Sequence, residues 1–198
     1  MLSGTDGSCG TDDALILTRR LAMRHASAGD RVAIVALAAN PRVAAILASA
    51  PGDGGGTGCA RLAVALREDG MVVGDELSDR PVAAAAGAVE IAVWIGEAHW
   101  GGGYTTEAAQ ALVDHVFSDE GTQSVWSTSR ASSLRSRRVI EKCGFQYRGT
   151  GMVRGPSRAG AVPVERFVLE RRTWQSLKAW GAIIQPRGNG HAPRDNAA

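Results

Sequence analysis

The segment Trp100-Gly101-Gly102-Gly103-Tyr104-Thr105 carries the clearest chemical signal in the chain. Successive glycines let a backbone approach a ligand with no Cβ in the way. Downstream, Tyr104–Phe117 places Ala108, Ala109, Leu112, Val113, Val116 and Phe117 at helical spacing, so the loop opens a helix. The first amides of a helix lack intrahelical acceptors, and the helix dipole favours negative charge beside them. A strand, a glycine loop and a helix start in this order make an anion site suited to a pyrophosphate. A phosphate loop is excluded because no Lys follows the glycines, and a dinucleotide fingerprint would need glycine where Thr106 stands.

The loop is preceded by Ala88–Ile95, a strand whose alternation puts Glu90, Ala92 and Trp94 on one face and Ile91, Val93 and Ile95 on the other. Glu90 supplies a carboxylate that could serve as a base. Trp94 fits either a core position or the wall of a pocket. His25, His99, His115 and His191 have no ligand spacing, and Cys9, Cys59 and Cys143 form no zinc pattern, so no metal is expected.

Other elements must position these groups. Ala14–Arg24 reads as a first strand, and Asp30 as the cap of a helix running to Ala39. Asn40-Pro41 ends that helix and starts another, with Asn40 as N-cap. Gly52–Gly58 is a flexible loop. Leu62–Leu66 and Met71–Val73 flank Arg67-Glu68-Asp69-Gly70 as a hairpin. Ser124–Thr128 is a strand, and Ser133–Cys143 a helix with Val139, Ile140 and Cys143 inward and Gly144 as its left-handed stop. Phe145–Arg154 and Val164–Glu170 are a closing pair of strands. Residues 1–13 read as a flexible leader, 14–184 as a single domain and 185–198 as a disordered tail.

Composition bounds the function. The chain has 198 residues, 44% hydrophobic and 21% charged, with a net charge of +2. That suits one α/β domain and gives no reason to expect nucleic acid or a membrane surface as partner. The longest apolar runs, Val32–Ala39 and Val82–Val89, fall short of the roughly 20 residues that a membrane span needs. Three scattered cysteines suit reduced thiols and a cytoplasmic location.

Taken together, Glu90-Ile-Ala-Val-Trp-Ile95 and Trp100-Gly-Gly-Gly-Tyr-Thr-Thr-Glu-Ala108 resemble the acetyl-CoA core of the GNAT superfamily. They are most similar to the RimJ/RimL-like branch, the ribosomal-protein-alanine acetyltransferases. Thr18-Arg-Arg-Leu-Ala-Met-Arg24 resembles that branch's opening, and Ser136-Arg-Arg-Val-Ile-Glu-Lys-Cys-Gly-Phe145 its second helix. The resemblance runs from Leu15 to Trp174. It implies an α/β (α+β) GNAT fold: a central mixed, mostly antiparallel twisted sheet flanked by helices and splayed between the fourth and fifth strands. It also implies acetyl-CoA as co-substrate, with no metal, and an amine acceptor; a homodimer is left open.

The same resemblance implies the site. Pantetheine would pair with backbone at Val93 and Ile95, and the pyrophosphate would rest on Trp100, Gly101, Gly102, Gly103, Tyr104 and Thr105. Ser133 stands where the family has Asn, and Arg138 belongs to a cluster with Arg130, Arg135 and Arg137 that is either a solvated face or a seat for the 3′-phosphate. Glu90 would be the general base, directly or through water, a backbone N–H near Val93 would meet the oxyanion, and Ser136 or a water would supply the leaving thiolate's proton, because Ile140 replaces the usual Tyr. Glu165 is the reserve carboxylate. An α-amino group has a pKa of about 7.7–8.0 against about 10.4 for lysine, which favours an N-terminal or small amine as acceptor. An acetyl-CoA-binding module without catalysis, or an antibiotic or metabolite acetyltransferase, are the competing possibilities.

Overall fold

The computed structural model describes residues 14–48, 60–81, 87–155 and 160–184. The expected leader, the Gly52–Gly58 loop and the tail lie outside these residues.

The chain order is β1 (Ile16–Leu17), β2 (Leu21–His25), α1 (Ala28–Ala38), α2 (Pro41–Ala44), β3 (Ala60–Leu66), β4 (Val72–Pro81), β5 (Ala88–Ile95), α3 (Tyr104–Ser118), β6 (Ser124–Arg130), α4 (Leu134–Lys142), β7 (Gln146–Arg154), β8 (Ala161–Glu170) and α5 (Arg171–Ile184). The strands form one sheet in the order β1-β2-β3-β4-β5-β6-β8-β7. Every neighbouring pair is antiparallel except β5 with β6. A parallel pair needs a crossover, and the glycine loop with α3 supplies it.

Three expectations are corrected. Ala14–Arg24 is not one strand: Thr18 N and Oγ1 both bond to Leu21 O, folding β1 back onto β2. Asp30 is not the helix cap; Ser27 is, and Asp30 completes a capping box by accepting from the Ser27 amide. Because β1 is separate, the splay falls between the fifth and sixth strands rather than the fourth and fifth, although it parts the expected segments. Asn40 does cap α2, with Pro41 at its first position.

The main core lies between the sheet and α3. Ala108, Ala109, Leu112, Val113, Val116 and Phe117 pack on Ile91, Ile95, Val125, Phe167 and Leu169. Helix α5, which the sequence pattern did not reveal, closes this layer. Trp174 stacks on Phe117 at 5.0 Å, and its Nε1 donates to Asp114 Oδ1 at 2.7 Å. A second core, on the opposite face, joins Ile34, Val43 and Leu47 to Ala63 and Trp94. Cys143 is a free thiol buried in the main core, and burial pushes it up to about 11, so it stays protonated.

Candidate active site

Pairing between β5 and β6 runs only from Ala88↔Ser124 to Ile91↔Ser127. Beyond that point the strands part. Ala92–Ile95 stay held by β4, and Thr128–Arg130 by β8, so the gap is maintained from both sides. On the side of β5 away from the gap, β4 lies so close that a Cβ on Gly74 would be 2.2 Å from the Trp94 carbonyl oxygen.

The Gly96 amide donates to Val73 O on β4. Backbone groups alternate sides along a strand, so those of Val93 and Ile95 face the gap. The Ile95 carbonyl accepts from Trp100 Nε1 at 2.7 Å, which ties the loop to the strand end. Trp100 is therefore an anchor of the loop as well as part of its wall.

The gap opens into a cavity of about 520 Å³ that reaches residues of both sheet faces. On one side stand Gly101, Gly103, Tyr104, Thr105 and the α4 residues Arg135, Ser136 and Arg138. On the other stand Ile46, Leu47, Asp75 and Trp94. Such a passage can admit one reactant from each face. Val93, Ile95 and Trp100 line it as well. Gly102 and Ser133 do not: the Gly102 carbonyl is taken up by Arg20, and Ser133 is buried as the cap of α4, accepting from the Ser136 amide. Ser133 Oγ also bonds to Ser136 Oγ at 2.8 Å.

Gly103 is the N-cap of α3 with φ +80°, and no side chain caps that helix. Its first-turn amides are thus left for a ligand. The loop is braced from β1–β2. Arg20 Nη1 donates to Gly102 O at 2.9 Å, its Nε to Glu107 Oε2 at 2.7 Å, and its guanidinium lies 4.1 Å over the Tyr104 ring. Burial raises the Glu107 carboxyl, but bonds from Thr18 Oγ1, the Arg20 amide and the Arg20 guanidinium outweigh it and hold it below the usual range. Glu107 therefore stays ionised beside Arg20, which offsets its charge near the anion site. Gly-rich backbone, uncapped amides and nearby guanidinium groups fit a pyrophosphate.

The sequence from residue 20 to 146 matches the model of the acetyltransferase (GNAT) domain. The chain belongs to the GNAT acetyltransferase family. It is therefore an N-acetyltransferase by family membership, and the fold has solved counterparts. A GNAT-family acetyltransferase from Bacillus anthracis is 18% identical, with a TM-score of 0.66 over 79% of this chain and 98% of that one. Mycobacterium smegmatis RimJ, solved with CoA-disulfide, is 17% identical with a TM-score of 0.65 over 81% and 89%. The aminoglycoside acetyltransferase AAC(6')-Ib, solved with coenzyme A, is 18% identical with a TM-score of 0.64 over 80% and 99%. No curated protein matches the chain by sequence.

Within this GNAT site, Glu90 lies one residue before the splay and is absent from the cavity lining. Its Oε1 accepts from Thr128 Oγ1 at 2.8 Å, and Thr128 does line the cavity. Glu165 instead pairs with Arg137. No group of His, Cys, Asp and Glu among the described residues could hold a metal. No helix among them is long and apolar enough to cross a membrane.

Sequence reasoning missed Arg20 and Glu107 as braces, and Asp75 and Ser129 as cavity residues. The usable signal for the last two was polarity at inward strand positions: Asp75 is 2% and Ser129 3% exposed.

Proposed function

We propose that this chain is an acetyl-CoA-dependent N-acetyltransferase of the RimJ/RimL-like kind, acting on a primary amine and foremost on a peptide N-terminal α-amino group. One observation carries the reading: the splay opens a cavity of about 520 Å³ lined by the glycine loop and the start of α3 at one face and by Ile46, Leu47, Asp75 and Trp94 at the other. In this reading Gly101–Thr105 hold the pyrophosphate, Arg138 the 3′-phosphate end, and Val93 the pantetheine and the oxyanion. Ser136 is placed on the cavity wall by its bond to Ser133. When bound, acetyl-CoA supplies the activated acetyl group. The free, buried Cys143 is compatible with a cytoplasmic enzyme.

Glu90 would act as base through Thr128. As the amine attacks, Thr128 Oγ1 takes its proton while passing its own to the Glu90 carboxylate. A second reading, a small polycationic amine as acceptor, is favoured by Asp75, a buried carboxylate beside Trp94 on the acceptor side.

The test is acetyl-CoA consumption, read as thiol release, with peptides of free N-terminus against polyamines and aminoglycosides. Peptide turnover supports the first reading and turnover of amines alone the second, while acetyl-CoA binding without any turnover would indicate a binding module. With the substrate found, Glu90→Gln is expected to lower turnover at pH 7 about tenfold or more while acetyl-CoA affinity stays put. Thr128→Val should lose as much. Both losses should shrink as pH rises toward the amine's own pKa. Wild-type turnover by Glu90→Gln at pH 7 would make that residue structural.

A further inference from the structure

The hydroxyl of Ser129 has no role in the site as described so far. It sits on β6 beyond the last β5 pairing, on the strand wall that faces Val93 and Ile95 across the gap. The residue is 3% exposed and lines the cavity, yet its Oγ meets no hydrogen-bonding partner among the described residues. Leaving a buried hydroxyl unsatisfied costs about 1–3 kcal/mol, so folding alone gives no reason to keep it. Its neighbours sharpen the point. Thr128 is engaged with Glu90, and Ser133 and Ser136 with each other. Ile140, also in the lining, brings no polar group.

We propose that Ser129 Oγ–H donates a hydrogen bond to the sulfur of the bound acetyl thioester as it leaves. The inference rests on the acetyl-CoA reading of this cavity. As the amine lone pair forms the C–N bond, the C–S bond breaks with its electron pair going to sulfur. The proton lost by the amine passes by Thr128 to Glu90 and from there to solvent. The thiolate takes a proton from water, and Ser129 stays un-ionised throughout. Its part is to stabilise the negative sulfur in a site where burial makes such a bond stronger than in water. Ser136, bonded to Ser133, is left to shape the wall.

The experiment needs no acceptor. CoA itself is the probe, and the thiolate of the bound molecule is followed by ultraviolet difference absorbance against desulfo-CoA as pH is varied. A hydrogen bond to the thiolate lowers the thiol pKa, so Ser129→Ala should raise it by about one unit, a tenfold change in the ionisation constant. The unliganded variant should melt no lower than the parent, because only an unsatisfied hydroxyl has been removed. An unchanged thiol pKa in a variant that still binds CoA would overturn the role of Ser129 alone. A drop in melting temperature with the pKa unmoved would do the same, by showing a structural residue. Failure of the parent to bind CoA at all would instead refute the acetyl-CoA reading, which keeps the two apart.

Discussion

Acetyl-CoA at a hundred times its dissociation constant is expected to stabilise the parent protein by about 2.7 kcal/mol, and Gly103→Asp to abolish that shift. The argument is local. Gly103 is the N-cap of α3 at φ +80°, a left-handed conformation that costs most side chains about 1–2 kcal/mol. Aspartate is among those that bear it best, so the variant should fold. A Cβ at this position would have room, its nearest neighbour being Arg20 Nη2 at 3.5 Å. The added carboxylate would then lie against the uncapped amides that the pyrophosphate needs, and would draw Arg20 toward itself. Two negative groups cannot share that helix start, so affinity should fall more than a hundredfold. Calorimetric titration of acetyl-CoA checks it. An unchanged melting shift would place the anion site elsewhere in the chain.

That prediction could be written from sequence, and the reason is physical. The glycine loop is a local signal: its chemistry lies in consecutive residues whose conformations glycine makes available. Strand β5 has the expected bounds, and α3 and β6 match within a few residues, because periodic apolar patterns report burial directly. What escaped depends on contacts between distant segments. Arg20 braces Glu107 and Gly102 from more than eighty positions away, and nothing in the spacing of any one segment reports that. For Glu90, the candidate base, alternation gives its face but not its depth. The register with β6 puts it just before the splay, behind Thr128. Helix α5 was missed because its inward groups, among them Trp174, are few, and much of its surface is exposed.

The second large effect concerns stability, and through it the acceptor wall. Arg24 and Asp30 form a buried ion pair that clamps α1 to β2. Asp30→Ala would remove the carboxylate from a buried guanidinium and half of the Ser27 capping box, so a loss of about 3–5 kcal/mol is expected. For a chain of this size that corresponds to a fall in melting temperature of about 10 °C. The pH dependence has a definite sign. The bond from Arg24 pulls the Asp30 carboxyl down from 3.8 to about 2, against burial and with help from Ser27. A depressed carboxyl stabilises above its unfolded pKa, so its contribution, about 2 kcal/mol, should be complete above pH 4 and disappear as pH falls toward 2. Asp30→Asn keeps the shape and drops the charge. Its deficit against the parent, measured by urea unfolding, should therefore close over that interval; a deficit persisting at pH 2 would show that the charge is not what matters. The row Arg24↔Ala63↔Asp75↔Trp94 runs across the sheet from this clamp to the cavity wall. Leu47, which follows α2, lines the same wall and holds Arg130 by its carbonyl at 2.7 Å. Loosening α1 should thus raise KM for the acceptor while the affinity for acetyl-CoA, set on the opposite face, stays nearly constant.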